Sequence, residues 1–201
     1  MTAQPAFTRA DPDARRQSLI EATARVLAAK GAAGVSVRTI CAEAGVSAGL
    51  LRHYFASVSE AIAETYRWTG AQIDAALAEA VAAAGSEPRA RLIAYLAANF
   101  RPPIATPELL ATYVAFWSLT LSDPAVARVR AEVYEGFREG LEEALHAYRP
   151  GLPDARVVAV ALTALIDGLW LELSLGQAPF SAEEAEMLAA RWLDALTVQA
   201  G

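Results

Sequence analysis

The chain has 201 residues, 55% hydrophobic and 20% charged, with a formal net charge of −6. That composition excludes a disordered chain, and its one cysteine, Cys41, excludes an intrachain disulfide. Residues 1–17 lack the apolar run of a signal peptide, and the longest apolar stretch, 157–175, is interrupted by Asp167 and Glu172. The sequence therefore predicts a buried helix there, no membrane partner and a cytoplasmic location.

Asp11-Pro12-Asp13 opens a first helix with a cap, a proline and an acid, and Gly31 ends it. Ser36 caps a second helix carrying Val37, Ile40, Cys41 and Ala44, which Gly45 stops. Ser47 caps a short third helix to about Tyr54. Ser57 or Ser59 with Glu60 starts a long fourth helix reaching Ala84. Five more helices follow, at 87–100, 107–121, 124–148, 154–176 and 181–199, with no repeat and no alternating strand. The expected fold is all-α with about nine helices. A three-helix helix-turn-helix head (residues 1–60) precedes a helical effector-binding and dimerisation body (residues 61–201).

Charge is distributed unevenly. Residues 1–60 hold seven Arg and Lys against five acids, while the remainder holds ten against eighteen. Gly45, in Gly-Val-Ser between two short helices, can take the left-handed conformation a sharp turn requires. In a helix-turn-helix the second of those helices enters the DNA major groove. Its solvent face would carry Ala48, Gly49, Leu50, Arg52 and His53, with Arg52 able to reach a guanine edge or a phosphate. An ordinary helical hairpin with solvated Arg52 and His53 is the plainer alternative.

The stretch "RRQSLIEATARVLAAKGAAGVSVRTICAEAGVSAGLLRHYFASVSEAI", residues 15–62, resembles the DNA-binding head of the TetR family of bacterial repressors. Within that family, "AGVSAGLLRHYF" and "ALIDGLWLELSL" are similar to the choline-responsive regulators of betaine synthesis. The resemblance implies DNA contacts at Val37, Arg38, Ala48, Gly49, Arg52, His53 and Tyr54. Tyr54 would bond a phosphate while its ring packs inward. The family usually has lysine after "YFxS", where this chain has Val58, so a cationic phosphate anchor is missing. The hydroxyls of Ser57 and Ser59 and free backbone N–H groups could partly replace it.

The helix at 154–176 carries two apolar stripes, and both must be buried. Val158, Leu162, Leu165, Leu169 and Leu173 form one. Val157, Ala161, Ala164, Gly168, Leu171 and Leu175 form the other, with small residues that permit close helix crossing. One stripe can face its own core and the other needs a partner. With Leu188, Trp192 and Leu196 of the last helix, a two-fold homodimer interface fits; a helix buried centrally within a monomer is the plainer alternative. It would place two heads about 34–36 Å apart for a palindromic double-stranded DNA operator.

Aromatic residues crowd the body, including Tyr95, Phe100, Tyr113, Phe116, Trp117, Tyr134 and Trp170, with Asp167 one helical turn from Trp170. Aromatic faces beside an acid suit a quaternary ammonium cation. The resemblance adds a pocket between the fourth helix and those after it, which Trp68 could border. The candidate effector site is Trp68, Phe100, Tyr113, Trp117, Asp167 and Trp170, although aromatics at this spacing also build ordinary cores. An enzyme or an interaction scaffold are the competing readings. Two histidines, His53 and His146, in separate segments and a lone cysteine supply no zinc spacing. No glycine-rich loop follows a strand, so neither a cofactor nor catalysis is expected. The function expected is a ligand-responsive DNA-binding regulator, a repressor released by a small-molecule effector.

Overall fold

The structure is a computed structural model and describes residues 12–198. Asp11, the expected first cap, and Gln199, the expected last helical residue, lie outside the described residues. Within them the chain forms α1 (Pro12–Lys30), a 3-10 turn (Ala32–Gly34), α2 (Val37–Ala44), α3 (Ala48–Tyr54) and α4 (Val58–Ala83). The body continues as α5 (Pro88–Ala98), α6 (Pro107–Thr120), α7 (Pro124–Tyr148), α8 (Ala155–Ser174) and α9 (Ala182–Val198).

Local chemistry explains most of the starts. Ser36 and Thr39 cap α2 reciprocally, each side chain accepting the other's backbone N–H. The Ser47 and Ser57 hydroxyls accept the N–H groups of Leu50 and Glu60. Glu87, Thr106 and Asp123 cap α5, α6 and α7, each followed by proline at the first helical position. Asp154 differs: it precedes α8 in the left-handed conformation, φ 55°, and its side chain makes no cap. Its carbonyl accepts the first helical bonds instead, from the Val157 and Val158 N–H groups. Between α2 and α3, Gly45 has φ 66°, a conformation that would strain any residue with a Cβ.

Two cores result. Leu19, Ile20, Ile40, Cys41, Leu51, Phe55 and Ala61 pack together in the head. The body core is larger and centres on Tyr66, Leu92, Phe100, Phe116, Leu141 and Leu162. The two cores are tightly joined. The expected boundary at residue 60 falls in the first turn of α4, which runs unbroken into the body. Leu27 of α1 belongs to the body core, and Val58 packs against both. Arg16 on α1 pairs with Glu64, which pairs with Arg67, which pairs with Glu132 on α7.

The two stripes of α8 meet different fates. Val158, Leu162 and Leu169 are buried, and Leu165 and Leu173 pack half-buried against the same core. Val157, Ala164, Gly168, Leu171 and Leu175 are exposed, Ala161 is half-buried, and Val160 joins this face as a further exposed residue. By length and apolarity α8 could cross a membrane. In this fold it packs between α6, α7 and α9.

Candidate functional site

The residues expected to touch DNA differ in exposure. Arg38, Gly49, Arg52, His53 and Ser57 are exposed, while Val37, Ala48 and Tyr54 are half-buried and pack against the head core. The Tyr54 ring meets the His53 ring edge-on at 5.0 Å. Other arginines nearby are engaged: Arg25 pairs with Glu43 at 2.7 Å and Arg16 with Glu64 at 2.6 Å. Among the described residues, neither Arg38 nor Arg52 has an ion-pair partner, so both guanidinium groups are available to an external anion. Five donors in a planar fork suit a phosphate or a guanine edge.

At the start of α4 the absent lysine has a structural counterpart. Val58 supplies packing between the two cores in place of a cation at the surface. The Ser57 hydroxyl already accepts the Glu60 N–H at 3.0 Å, and the Glu60 carboxylate accepts the Ala56 N–H at 2.6 Å. An acid thus sits where an anchor for phosphate was expected. Val58→Lys is expected to steepen the salt dependence of DNA binding by about one unit of log–log slope. It should also lower folding stability by roughly 1 kcal/mol through lost burial. Titration of a DNA duplex at several salt concentrations checks the slope, and an unchanged slope contradicts the expectation.

A cavity of about 40 Å³ lies in the body between α4, α5, α6, α7 and α8. Tyr113, Asp167 and Trp170, all predicted, line it together with Tyr134. The other three predicted residues do not. Phe100 is 1% exposed and buried in the core. Trp68 borders a different groove, between α1, α4 and α6. Trp117 stands behind the wall, where its indole N–H donates to the Tyr134 hydroxyl at 2.8 Å. Tyr134 in turn donates to Asp167 Oδ1 at 3.0 Å. Helical spacing places aromatic residues on a face, but not the long-range turn that decides which of them reaches a cavity.

Asp167 is the chemical centre of this cavity. Burial pushes its carboxyl up to about 6, against the opposing pull of the Tyr134 hydrogen bond and of the Arg130 and Arg138 guanidinium groups. Those arginines lie 4.1 Å and 5.8 Å from the Tyr134 ring centre. Asp74 on α4 also lines the cavity; the residue is exposed on its outer side, and the partial burial of its carboxyl raises it as well. Sequence reading missed Asp74, although it lies four residues after Gly70 and one after the buried Ile73. An acid interrupting a core-facing stripe was the available signal, used for Asp167 and not here. The Tyr66 hydroxyl is buried without a hydrogen-bond partner. Trp170 is anchored through its indole N–H to the Asn99 carbonyl at 2.8 Å. Two carboxyl groups, Asp74 and Asp167, thus border one cavity with the rings of Tyr113, Tyr134 and Trp170. Among the described residues no cluster of His, Cys, Asp and Glu could hold a metal.

A helix-turn-helix head with free arginines, joined through one continuous helix to a body containing its own acidic, aromatic cavity, defines a DNA-binding transcriptional regulator. Residues 19–60 match the family described as "Bacterial regulatory proteins, tetR family", and residues 88–198 match "BetI-type transcriptional repressor, C-terminal". The chain belongs to the TetR family and carries a BetI-type C-terminal domain. It is 34% identical over 184 residues to the HTH-type transcriptional regulator BetI of Burkholderia thailandensis, covering 90% of this chain and 93% of that one. A solved transcriptional regulator from Pseudomonas aeruginosa PAO1 superposes with a TM-score of 0.86 at 35% identity, covering 96% of this chain and 95% of that one. A regulator from Saccharomonospora viridis, solved in complex with choline, shares the fold at 20% identity, with a TM-score of 0.76 and coverage of 90% and 96%.

Proposed function

We propose that the protein is a cytoplasmic homodimeric repressor that a small organic cation releases from a palindromic operator. The observation that carries the effector assignment is the meeting of Asp167, Trp170, Tyr113 and Tyr134 around one cavity. Carboxylate and ring faces together favour a quaternary ammonium group over a neutral or anionic ligand. The choline bound to the Saccharomonospora viridis regulator is of this class. The residues 1–60 serve as the DNA-binding unit, with α3 in the major groove and Arg38 and Tyr54 on the backbone. The exposed face of α8, from Ala161 and Ala164 through Gly168 to Leu171 and Leu175, meets its symmetry mate together with Leu188, Trp192 and Leu196 of α9. The protein acts by binding, not catalysis.

The cavity volume suggests how binding reaches the head. At about 40 Å³ it has room for only a few waters, so a bulkier trimethylammonium group would press on its walls. One wall is α4, through Gly70, Ile73 and Asp74, and the same helix begins at Val58 against the head core. Another is α6, whose Tyr113 faces the cavity while the adjacent Thr112 approaches the Ala24 carbonyl of α1 at 3.5 Å. The ligand thus favours a conformation with α4 and α1 displaced, in which the two heads no longer match successive major grooves.

Thermal denaturation with choline tests the effector assignment. Choline at about a hundred times its Kd is expected to raise Tm by roughly 5–10 °C at pH 7.5. The gain depends on ionised Asp167, whose carboxyl titrates near 6. Without ligand, the raised value means this group stabilises the fold as pH falls from 6 toward 4, because the folded state then binds the proton more tightly. Cation affinity moves the opposite way, so the choline-induced gain shrinks below pH 6. No gain at pH 7.5, or the same gain at pH 5 as at pH 7.5, contradicts the proposal.

A further inference from the structure

A cation held in the cavity needs a way in. Of the twelve residues around the cavity, Asp74 is the only exposed one. On its outer side Asp74 also borders a surface groove of about 570 Å³ between α4, α5 and α7. The groove is open because its α7 wall is built of Gly136, Gly140, Ala144 and Ala147, and a Cβ added at Gly136 would meet nothing within 4 Å. One contact joins groove and cavity. Tyr95 lines the groove and Phe137 lines the cavity. The Tyr95 hydroxyl donates to the Phe137 carbonyl at 3.0 Å, with ring centres 5.4 Å apart.

Charge favours an approach along this groove. Near Val133 and Asp167 the guanidinium groups of Arg130 and Arg138 lie against Tyr134, and they repel an approaching cation. The groove carries the carboxylates of Asp74 and Glu143. Its one arginine, Arg91, is turned to the α4 end and donates to the Val81 and Gly85 carbonyls. The geometry points to this groove as the route by which the cation enters, with Asp74 the carboxylate that draws it inward and the Tyr95–Phe137 contact the gate. The inference rests on the cation reading of the cavity.

Stopped-flow tryptophan fluorescence on mixing the full-length protein with choline tests the route, because Trp170 lines the cavity. Gly136→Leu fills the groove at an open helical position, where leucine also favours the helix. It is expected to slow association and dissociation together, each by about tenfold, with Kd within about twofold of the parent. Tyr95→Phe frees the gate and should speed both steps. Asp74→Asn should slow association and flatten its dependence on ionic strength. Association rates unchanged by Gly136→Leu and by Tyr95→Phe, in variants that still bind choline, overturn the route and leave the cation site standing. Absence of choline binding to the parent protein overturns the cation site and the route together.

Discussion

Replacing Arg38 and Arg52 together by alanine is expected to weaken binding to a palindromic operator by at least a hundredfold. Both side chains are exposed, and neither has an ion-pair partner among the described residues, so their removal costs the fold little. Each contact to a base edge contributes about 1–3 kcal/mol, and a dimer loses every contact twice. Loss of phosphate neutralisation should also flatten the salt dependence, by roughly one unit per phosphate contact removed. Fluorescence anisotropy with a duplex selected from random-sequence DNA measures both quantities. A double variant that melts like the parent and binds that duplex equally well would remove α3 as the reading helix.

The second large effect is expected at Gly168. This glycine lies mid-way along the exposed stripe of α8, with nothing within 4 Å of an added Cβ. Gly168→Arg therefore fits the isolated subunit. In the proposed dimer, where this stripe crosses its symmetry mate, it would set two guanidinium groups against each other at a close helix crossing. The variant is expected to sediment as a folded monomer and to bind the selected palindrome at least tenfold more weakly, because the two half-sites then bind independently. A variant that stays dimeric would move the interface elsewhere. The exposed face it would uncover is large: Val157, Leu171, Leu175 and Trp192 are each 41–67% exposed in the single chain.

Much of this architecture was legible in the sequence because the signals are local. Ser36, Ser47 and Ser57 cap the helices that follow them, prolines 88, 107 and 124 sit at first helical positions, and Gly45 turns where a turn was expected. The two stripes of α8 could be listed from periodicity, but which one faced inward depends on where α6, α7 and α9 pack. The cavity was half legible for the same reason. Asp167 and Trp170 are a turn apart on one helix, whereas Asp74, Tyr113 and Tyr134 arrive from three others. Trp117, expected at the ligand, stands one residue further out, its indole N–H donating to the Tyr134 hydroxyl. Val58 shows the limit most clearly. A missing surface cation was visible in the sequence, while its replacement by a contact between two cores required the fold.

Release of the selected palindrome by choline, compared between the parent protein and Asp167→Asn, tests the coupled account most directly. Asparagine keeps the shape and can still accept the Tyr134 hydrogen bond, but it removes the buried charge that the cation needs. Both proteins are expected to bind the duplex with equal affinity at pH 7.5. Choline is expected to displace the parent, and the variant to need at least a tenfold higher concentration. Release of both proteins at the same choline concentration would contradict it.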